Sequence, residues 1–183
     1  EDDHLAGASH LFEHLLFKGT AVRPTPRDIA ESVEGVGGML NAFTDREITG
    51  YWCRIALPHY RRGIEVIVDM VRNSMLRDED IVKEKKVVFE EIRANRDSPA
   101  GRVDEMTDLL LWPDQPMGRD VAGTVESVGA MRRTSSATWR IAGELPTQER
   151  AGGAPPASRW RLRRATAPAT AARTWSLSKG FFR

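Results

Sequence analysis

Three side chains near the start of the chain have the types and the spacing of a metal site. His10, Glu13 and His14 form the pattern H-x-x-E-H within residues 5–17, a segment apolar nearly all round that we predict to be a buried helix. At 100° per residue the three side chains point into one sector, and imidazoles at i and i+4 can share one metal ion. A divalent cation would also compensate for burying these groups. The alternative is a pair of core histidines hydrogen-bonded to Glu13 and to the backbone.

Two further carboxylates fall on the apolar side of a predicted helix over residues 78–97. Glu84 and Glu91 lie within an arc of apolar residues, and these are Ile81, Val87, Val88 and Ile92. Two like charges on a core face need a cation or a proton to compensate them. Because a catalytic zinc takes three protein ligands and keeps an open position, one of these glutamates could complete a site with the two histidines. In the alternative interpretation both carboxylates reach the rim of the core.

The elements around these residues predict an α+β fold in which an antiparallel β-sheet is layered with helices. Thr25 followed by Pro26 predicts the start of a helix. Residues 39–43 and 47–57, separated by a turn at 44–46, predict a β-hairpin. Further helices are predicted near residues 58–75, 78–97 and 99–112, with a shorter one after the Thr124 cap.

The distribution of charge predicts a boundary near residue 133. The whole chain has a net charge of +1, but residues 1–133 sum to −6 and residues 134–183 to +7. The second segment contains eight Arg, ten Ala and four Pro, and no apolar period continues past about Leu145. We therefore predict a domain over residues 1–133 and a basic tail over residues 134–183 that is disordered or out-of-frame. Such a tail could instead bind nucleic acid.

Composition excludes two classes of protein. The single cysteine, Cys53, cannot form an internal disulfide, so the chain is not a disulfide-stabilised scaffold. The second excluded class is proteins with a transmembrane helix, because no apolar run approaches the roughly 20 residues that span a bilayer. No segment resembles a signal peptide. We therefore expect a cytoplasmic location and no membrane partner.

The order and spacing of several motifs resemble the pitrilysin/insulinase family of zinc peptidases, the inverzincins. The resemblance covers some 130 of the 183 residues and is carried by residues 7–20, 37–44, 84–92, 118–119 and 123–127. Seventy-six residues separate His14 from Glu91, which matches the family's distance to its third zinc ligand. The order of these motifs is more specific than any one of them.

The resemblance implies a role for each candidate residue. His10, His14 and Glu91 look like the zinc ligands, and Glu13 resembles the general base that takes a proton from the attacking water. Glu84 looks like the carboxylate that orients a ligand histidine, a contribution to catalysis expected around zinc sites. The implied cofactor is Zn²⁺, and the implied reaction is hydrolysis of peptide bonds by a metalloendopeptidase.

Asn41 and Ala42 match the strand edge on which the family binds its substrate as an added β-strand. The implied substrate is therefore an extended or unfolded peptide. The alternative for Asn41 is a turn or edge residue that bonds its own backbone.

The resemblance is to the N-terminal half of a family member. Family members build their cleft from two similar halves, and the strand before the motif helix and the elements after about residue 131 have no counterpart here. We therefore expect one half of a pitrilysin-type peptidase, incomplete at both ends and poorly active alone, with a second half or a homologous subunit as a partner and no nucleic acid.

A rival interpretation is a non-catalytic relative that acts as an interaction subunit, or an inactive fragment. Such relatives typically lose the zinc ligands and the base. His10, Glu13, His14 and Glu91 are all present, which argues against this interpretation.

Overall fold

The computed structural model describes residues 2–133 and, as backbone alone, residues 160–164 and 173–180. The α-helices in this part of the chain are α1 (Ala8–Leu16), α2 (Pro26–Glu34), α3 (Tyr60–Asn73), α4 (Asp78–Asp97), α5 (Pro99–Leu111) and α6 (Val125–Ala130). The strands are β1 (Met39–Thr44), β2 (Ile48–Ile55), β3 (Trp160–Arg164) and β4 (Arg173–Gly180). The predicted α+β architecture is confirmed.

Two helices begin at the predicted caps, Thr25 and Thr124, and the structure shows that each start is a capping box. The Thr25 hydroxyl accepts a hydrogen bond from the backbone N–H of Asp28, whose carboxylate accepts from the backbone N–H of Thr25, and Pro26 occupies the first turn of α2. Thr124 and Ser127 form the same reciprocal pair at the start of α6. These local bonds satisfy backbone N–H groups that have no partner within the helix, so the sequence alone marks both boundaries.

The sheet has the strand order β1-β2-β4-β3. Residues 45–47 join β1 to β2 and are too few for a crossover, so these two neighbours form the predicted antiparallel hairpin. Strand β4 pairs antiparallel with β2 along its whole length, from Ile48 opposite Gly180 to Ile55 opposite Arg173. Strand β3 pairs antiparallel with β4.

Strands β3 and β4 lie in the tail, where no regular element is predicted from the sequence. Strand pairing uses backbone groups, so an extended segment can join the open edge of a sheet with little demand on its composition. Trp175 and Leu177 do alternate with polar residues over 174–178, so the prediction that no apolar period continues past about Leu145 is wrong for this segment, and this short period is the sequence signal for β4. The other tail residues lie outside the described part of the chain, and for them a disordered or out-of-frame tail stays a prediction.

The described residues divide into two compact units. The first contains residues 2–15, 44–46 and 76–133, and the second contains residues 16–43, 47–75 and the strands β3 and β4. Each unit has its own buried residues and is described by itself.

The first unit is built around α1 and α4. Leu11, Phe12 and Leu15 of α1 are each at most 3% exposed, so the prediction of a buried motif helix is confirmed. Helix α4 contributes Ile81, Val88 and Ile92 to this core, and α6 contributes Val128. Burying such side chains stabilises each by about 1.5–3 kcal/mol relative to exposure.

Two glycines allow the loop before α1 to approach the loop before α6. Gly7 has φ +89° and Gly123 has φ +75°. A Cβ at Gly7 would lie 2.4 Å from the Ala122 carbonyl oxygen, and one at Gly123 would lie 2.2 Å from the Ala6 carbonyl oxygen. No larger residue fits either position without a shift of the backbone. This close approach places the start of α1.

The second unit contains a buried acidic group. The Asp69 carboxylate on α3 accepts hydrogen bonds from the Thr20 hydroxyl at 2.7 Å, from the Arg23 guanidinium at 2.6 Å and from the Asn73 amide at 2.8 Å. Burial alone would raise the pKa of Asp69, but the bonds from Thr20, Asn73 and Arg23 together hold this pKa below its ordinary value. The network therefore ties the loop after α1 to α3 through an ionised carboxylate.

Cys53 is also buried in the second unit, on β2, and burial raises the pKa of its thiol to about 11. Its sulfur is therefore protonated at neutral pH and packs as a small apolar group.

Among the residues that the structure describes, no helix combines the length and the apolar character needed to cross a bilayer.

Replacing Asp69 by Ala should lower the free energy of unfolding by about 3 kcal/mol, because it leaves a largely buried guanidinium, a hydroxyl and an amide without their acceptor. Urea unfolding followed by circular dichroism measures this. Replacing Glu31, whose ion pair with Arg27 is exposed, is the control and should cost less than about 1 kcal/mol. Equal effects of the two substitutions would contradict the assignment.

The Asp69 contribution should also depend on pH. A carboxyl group whose pKa is lowered by folding stabilises the protein above its unfolded pKa of about 3.9 and loses this effect as the pH falls through the folded value. The difference in unfolding free energy between the wild type and the Ala variant should therefore be constant near neutral pH and shrink below about pH 4.

Candidate metal centre

Three atoms that can bind a metal converge in the first unit. The Nε2 atoms of His10 and His14 lie 3.6 and 3.7 Å from Oε2 of Glu91. One ligand atom from each of these residues lies within 4.8 Å of the other two. The predicted candidates on α1 and α4 are therefore brought together, and Glu91 rather than Glu84 is the carboxylate at the convergence point.

The local structure of α1 explains the pairing of the histidines. They are four residues apart, so they lie on one face of the helix, with ring centroids 4.7 Å apart and an edge-to-face angle of 77°. Glu91 comes from α4. The site therefore forms only when α1 and α4 pack together. Local structure brings together only the two histidines of α1.

The donor atoms fit a divalent cation of the zinc type. Two imidazole nitrogens and one carboxylate oxygen are a ligand set that zinc uses in catalytic sites. Both nitrogen-to-oxygen distances exceed 3.5 Å, so neither histidine forms a hydrogen bond with Glu91. The side chains of His10 and His14 are only 19% and 18% exposed, so a cation between the three groups would compensate atoms that water reaches poorly.

The surroundings of His10 favour its neutral form. Burial, and next the charge of His14, lower the pKa of His10, while the nearby carboxylates of Glu91, Glu13 and Asp120 oppose this shift. A neutral imidazole is the form that binds a metal. Its other ring nitrogen, Nδ1, is buried and has no hydrogen-bond partner among the described residues.

His14, in contrast, has a partner for its outer nitrogen. Nδ1 of His14 lies 3.3 Å from Oε2 of Glu84, which is 7% exposed. A carboxylate in this place fixes the ring orientation and directs Nε2 toward a metal. The burial of Glu84 is as predicted from the helix pattern.

The predicted apolar arc of α4 is too wide. Val87 is 43% exposed, and the side chain of Glu91 is 45% exposed, so neither lies in the core. An angle around a helix gives the direction of a side chain, but it does not say how far the neighbouring elements extend over it. The alternative prediction, a carboxylate at the rim, describes Glu91 and not Glu84.

Glu13 is not one of the three converging residues. It is half-buried on α1, and its Oε2 accepts a hydrogen bond from the Thr44 hydroxyl. Thr44 is absent from the predicted site residues because a threonine at the end of a strand carries no signal of its own. The nearest signal is its place three residues after Asn41 within a motif.

Asn41 and Ala42 lie on β1, in the second unit. The sheet order places β1 at one edge of the described sheet. Asn41 is exposed, and its side-chain oxygen accepts a hydrogen bond of 2.8 Å from the backbone N–H of Ala42. This is the local contact that the alternative interpretation of Asn41 predicts. A role of either residue in substrate binding stays a prediction.

The chain is similar to curated bacterial proteins over most of its length. It is 40% identical over 137 residues to an uncharacterized zinc protease of Mycobacterium leprae, an alignment that covers 75% of this chain and 31% of the relative. It is 38% identical over 131 residues to an uncharacterized zinc protease of Streptomyces coelicolor, which covers 72% of this chain and 28% of that relative. The chain thus spans about a third of the length of these relatives.

Solved structures share its fold. A protease from Helicobacter pylori matches with a TM-score of 0.72 at 23% identity, over 76% of this chain and 34% of that one. The first half of the periplasmic protease PqqL from Escherichia coli matches with a TM-score of 0.67 at 19% identity, over 76% of this chain and 31% of that one. An inactive M16 peptidase domain from Pseudomonas fluorescens matches with a TM-score of 0.64 at 14% identity, over 74% of this chain and 35% of that one.

The model of the insulinase family, peptidase family M16, matches residues 1–125, which is more than half of the chain and includes every residue of the metal centre. The relatives named above are called zinc proteases, and the converging imidazole and carboxylate groups suit that metal. The chain therefore belongs to the insulinase family, peptidase family M16, whose peptidases depend on zinc.

Proposed function

We propose that the protein is a zinc metalloendopeptidase that hydrolyses extended or unfolded peptides. The observation that carries this proposal is the convergence of His10, His14 and Glu91 on one point, with Glu13 one residue before a ligand histidine. A peptidase role is in keeping with the family, whereas the class of substrate and the roles of individual residues are part of the proposal.

The role proposed for each residue follows from the chemistry of its side chain. His10, His14 and Glu91 would hold the zinc, and Glu84 holds the ring of His14 through Nδ1. When bound, zinc supplies a Lewis acid that polarises the scissile carbonyl and makes a water molecule acidic near neutral pH. Glu13 takes a proton from the water whose oxygen attacks the carbonyl carbon. Glu13 then gives the proton to the amine nitrogen as the C–N bond breaks.

The edge of β1 is the proposed place for the peptide backbone. An edge strand has unpaired backbone N–H and C=O groups, and a peptide that adds a strand there is held by main-chain hydrogen bonds. Such binding accepts many sequences, which suits an unfolded substrate. Asn41 and Ala42 lie on this strand.

A complete cleft is proposed to need a second half. The chain spans 31% of its Mycobacterium leprae relative, and its fold matches the first half of PqqL. We infer that a second half or a homologous subunit is a partner. The cytoplasmic location expected above stays a prediction.

A non-catalytic role is the second candidate, because the fold also matches an inactive M16 domain. The convergence of three ligand atoms, with Glu84 behind His14, favours the peptidase. His10 and His14 are poorly exposed, so their placement is costly unless something compensates them, and the zinc that a peptidase needs would do so.

The chain should bind about one zinc ion, and Glu91→Gln should weaken binding by more than about 100-fold, because even residues behind the ligands contribute about 10- to 100-fold. Competition with a chromogenic chelator measures the affinity. Glu90→Gln is the matched control, since Glu90 pairs with Arg93 on an exposed surface and should leave the affinity unchanged. A folded chain that binds no zinc at neutral pH would contradict the site.

Glu13→Gln should keep zinc but lower hydrolysis by about 10²- to 10⁴-fold, the contribution typical of a general base. The measurement pairs zinc content with cleavage of a fluorogenic peptide, in whichever form of the protein shows chelator-sensitive hydrolysis. If the variant loses zinc instead, Glu13 is a ligand and the mechanism is wrong.

The 183-residue chain alone should turn over an unfolded peptide at well below about 1 s⁻¹ even when loaded with zinc, because an open half-cleft cannot position the substrate or exclude water. Addition of a complementary half, such as the second half of a family member, should raise the rate. Chelator-sensitive cleavage at about 1 s⁻¹ or more by the isolated chain would show that one half suffices.

A further inference from the structure

The contact between Thr44 and Glu13 joins the proposed general base to a second element. The Thr44 hydroxyl donates a hydrogen bond to Oε2 of Glu13, and both side chains are half-buried. Both residues belong to the first compact unit. Among the hydrogen bonds that the structure describes, the Thr44 side chain forms one with Glu13 and none with His10, His14 or Glu91.

The turn that follows Thr44, the last residue of β1, is itself held in place. The Asp45 carboxylate accepts a hydrogen bond of 2.7 Å from the backbone N–H of Arg46, which shapes the turn. The Arg46 guanidinium pairs with the Asp108 carboxylate on α5, and these side chains are only 29% and 21% exposed. The Thr44 hydroxyl is therefore presented from the end of β1, next to a turn that the pair of Arg46 and Asp108 ties to α5.

A glutamate that acts as a general base benefits from such a contact. Its side chain has three rotatable bonds, and ordering it costs conformational entropy. A hydroxyl that donates to Oε2 selects one orientation before substrate binds and leaves Oε1 as the oxygen for proton transfer. Misplacement of a catalytic group by about 1 Å can cost about 100-fold in rate.

We propose that Thr44 is the positioning residue of Glu13, which its hydroxyl holds in the orientation that proton transfer requires. This inference deepens the proposed function and rests on it only for the role of Glu13. It adds the last residue of β1 to a centre otherwise built from α1 and α4. The contact itself can be tested without any hydrolysis.

The first test is a double-mutant cycle on the full 183-residue chain. Thr44→Val keeps the shape of the side chain and removes the hydroxyl, and Glu13→Ala removes the acceptor. Thr44→Val should lower the folding equilibrium constant about tenfold in the wild-type background and by less than about twofold in the Glu13→Ala background. Thr44→Ser, which keeps the donor, should stay within about threefold of the wild type.

Equal effects of Thr44→Val in both backgrounds would overturn the inference, because the two side chains would then be uncoupled. The Thr44→Ser variant protects the test against loss of folding. If Thr44→Val does not fold, Thr44→Ala replaces it in the cycle, and Thr44→Ser remains the variant that keeps the donor. This cycle tests the same coupling between the two side chains.

The second test separates positioning from a merely structural role. In the form of the protein that shows chelator-sensitive hydrolysis, Thr44→Val should lower kcat about 10- to 100-fold with KM and zinc affinity unchanged, and Thr44→Ser should restore kcat. An unchanged kcat, or loss of zinc in Thr44→Val, would overturn the inference. A protein that binds zinc but cleaves nothing in any form would overturn the proposed function, while the stability cycle would still decide whether Thr44 holds Glu13.

Discussion

Helix α1 must be buried and must also carry three ionisable side chains. Leu11, Phe12 and Leu15 fill the core of the first unit, while His10, Glu13 and His14 lie on the same two and a half turns of helix. Isolated polar groups in such a place cost several kcal/mol. The first unit places carboxylates near both histidines and a hydroxyl against Glu13.

The partners come from elements distant in sequence. Glu84 and Glu91 are seven residues apart on α4, so they lie on one side of that helix two turns apart, and one meets the outer nitrogen of His14 while the other meets both Nε2 atoms. A 20-residue helix is a stiff support for two groups that must keep their separation. The third polar group of α1, Glu13, has its partner in Thr44 at the end of β1.

The placement of α1 depends on packing that has no chemistry of its own. Gly7 and Gly123 let two loop backbones approach more closely than any Cβ allows. The Ser127 hydroxyl donates to the Ala6 carbonyl at 2.7 Å, which ties the cap of α6 to the residues just before α1. These contacts set the position of the helix, and therefore of the histidines, within the first unit.

Much of the structure can be predicted from the sequence, and particular residues show which features cannot. The H-x-x-E-H spacing, the caps at Thr25 and Thr124, the extent of α4 and the hairpin are local features, so propensity and periodicity predict them. The sequence does not determine which glutamate of α4 joins the histidines as a metal ligand, because Glu84 and Glu91 differ by only 20° around the helix. The tertiary structure decides it, since Glu84 lies near Nδ1 of His14 and Glu91 lies near Nε2. The exposure of Val87, the pairing of β4 with β2 and the contact of Thr44 with Glu13 are likewise decided by the tertiary structure. A helical or strand period gives the direction of a side chain, whereas its partner depends on which other element lies in that direction and how near it packs.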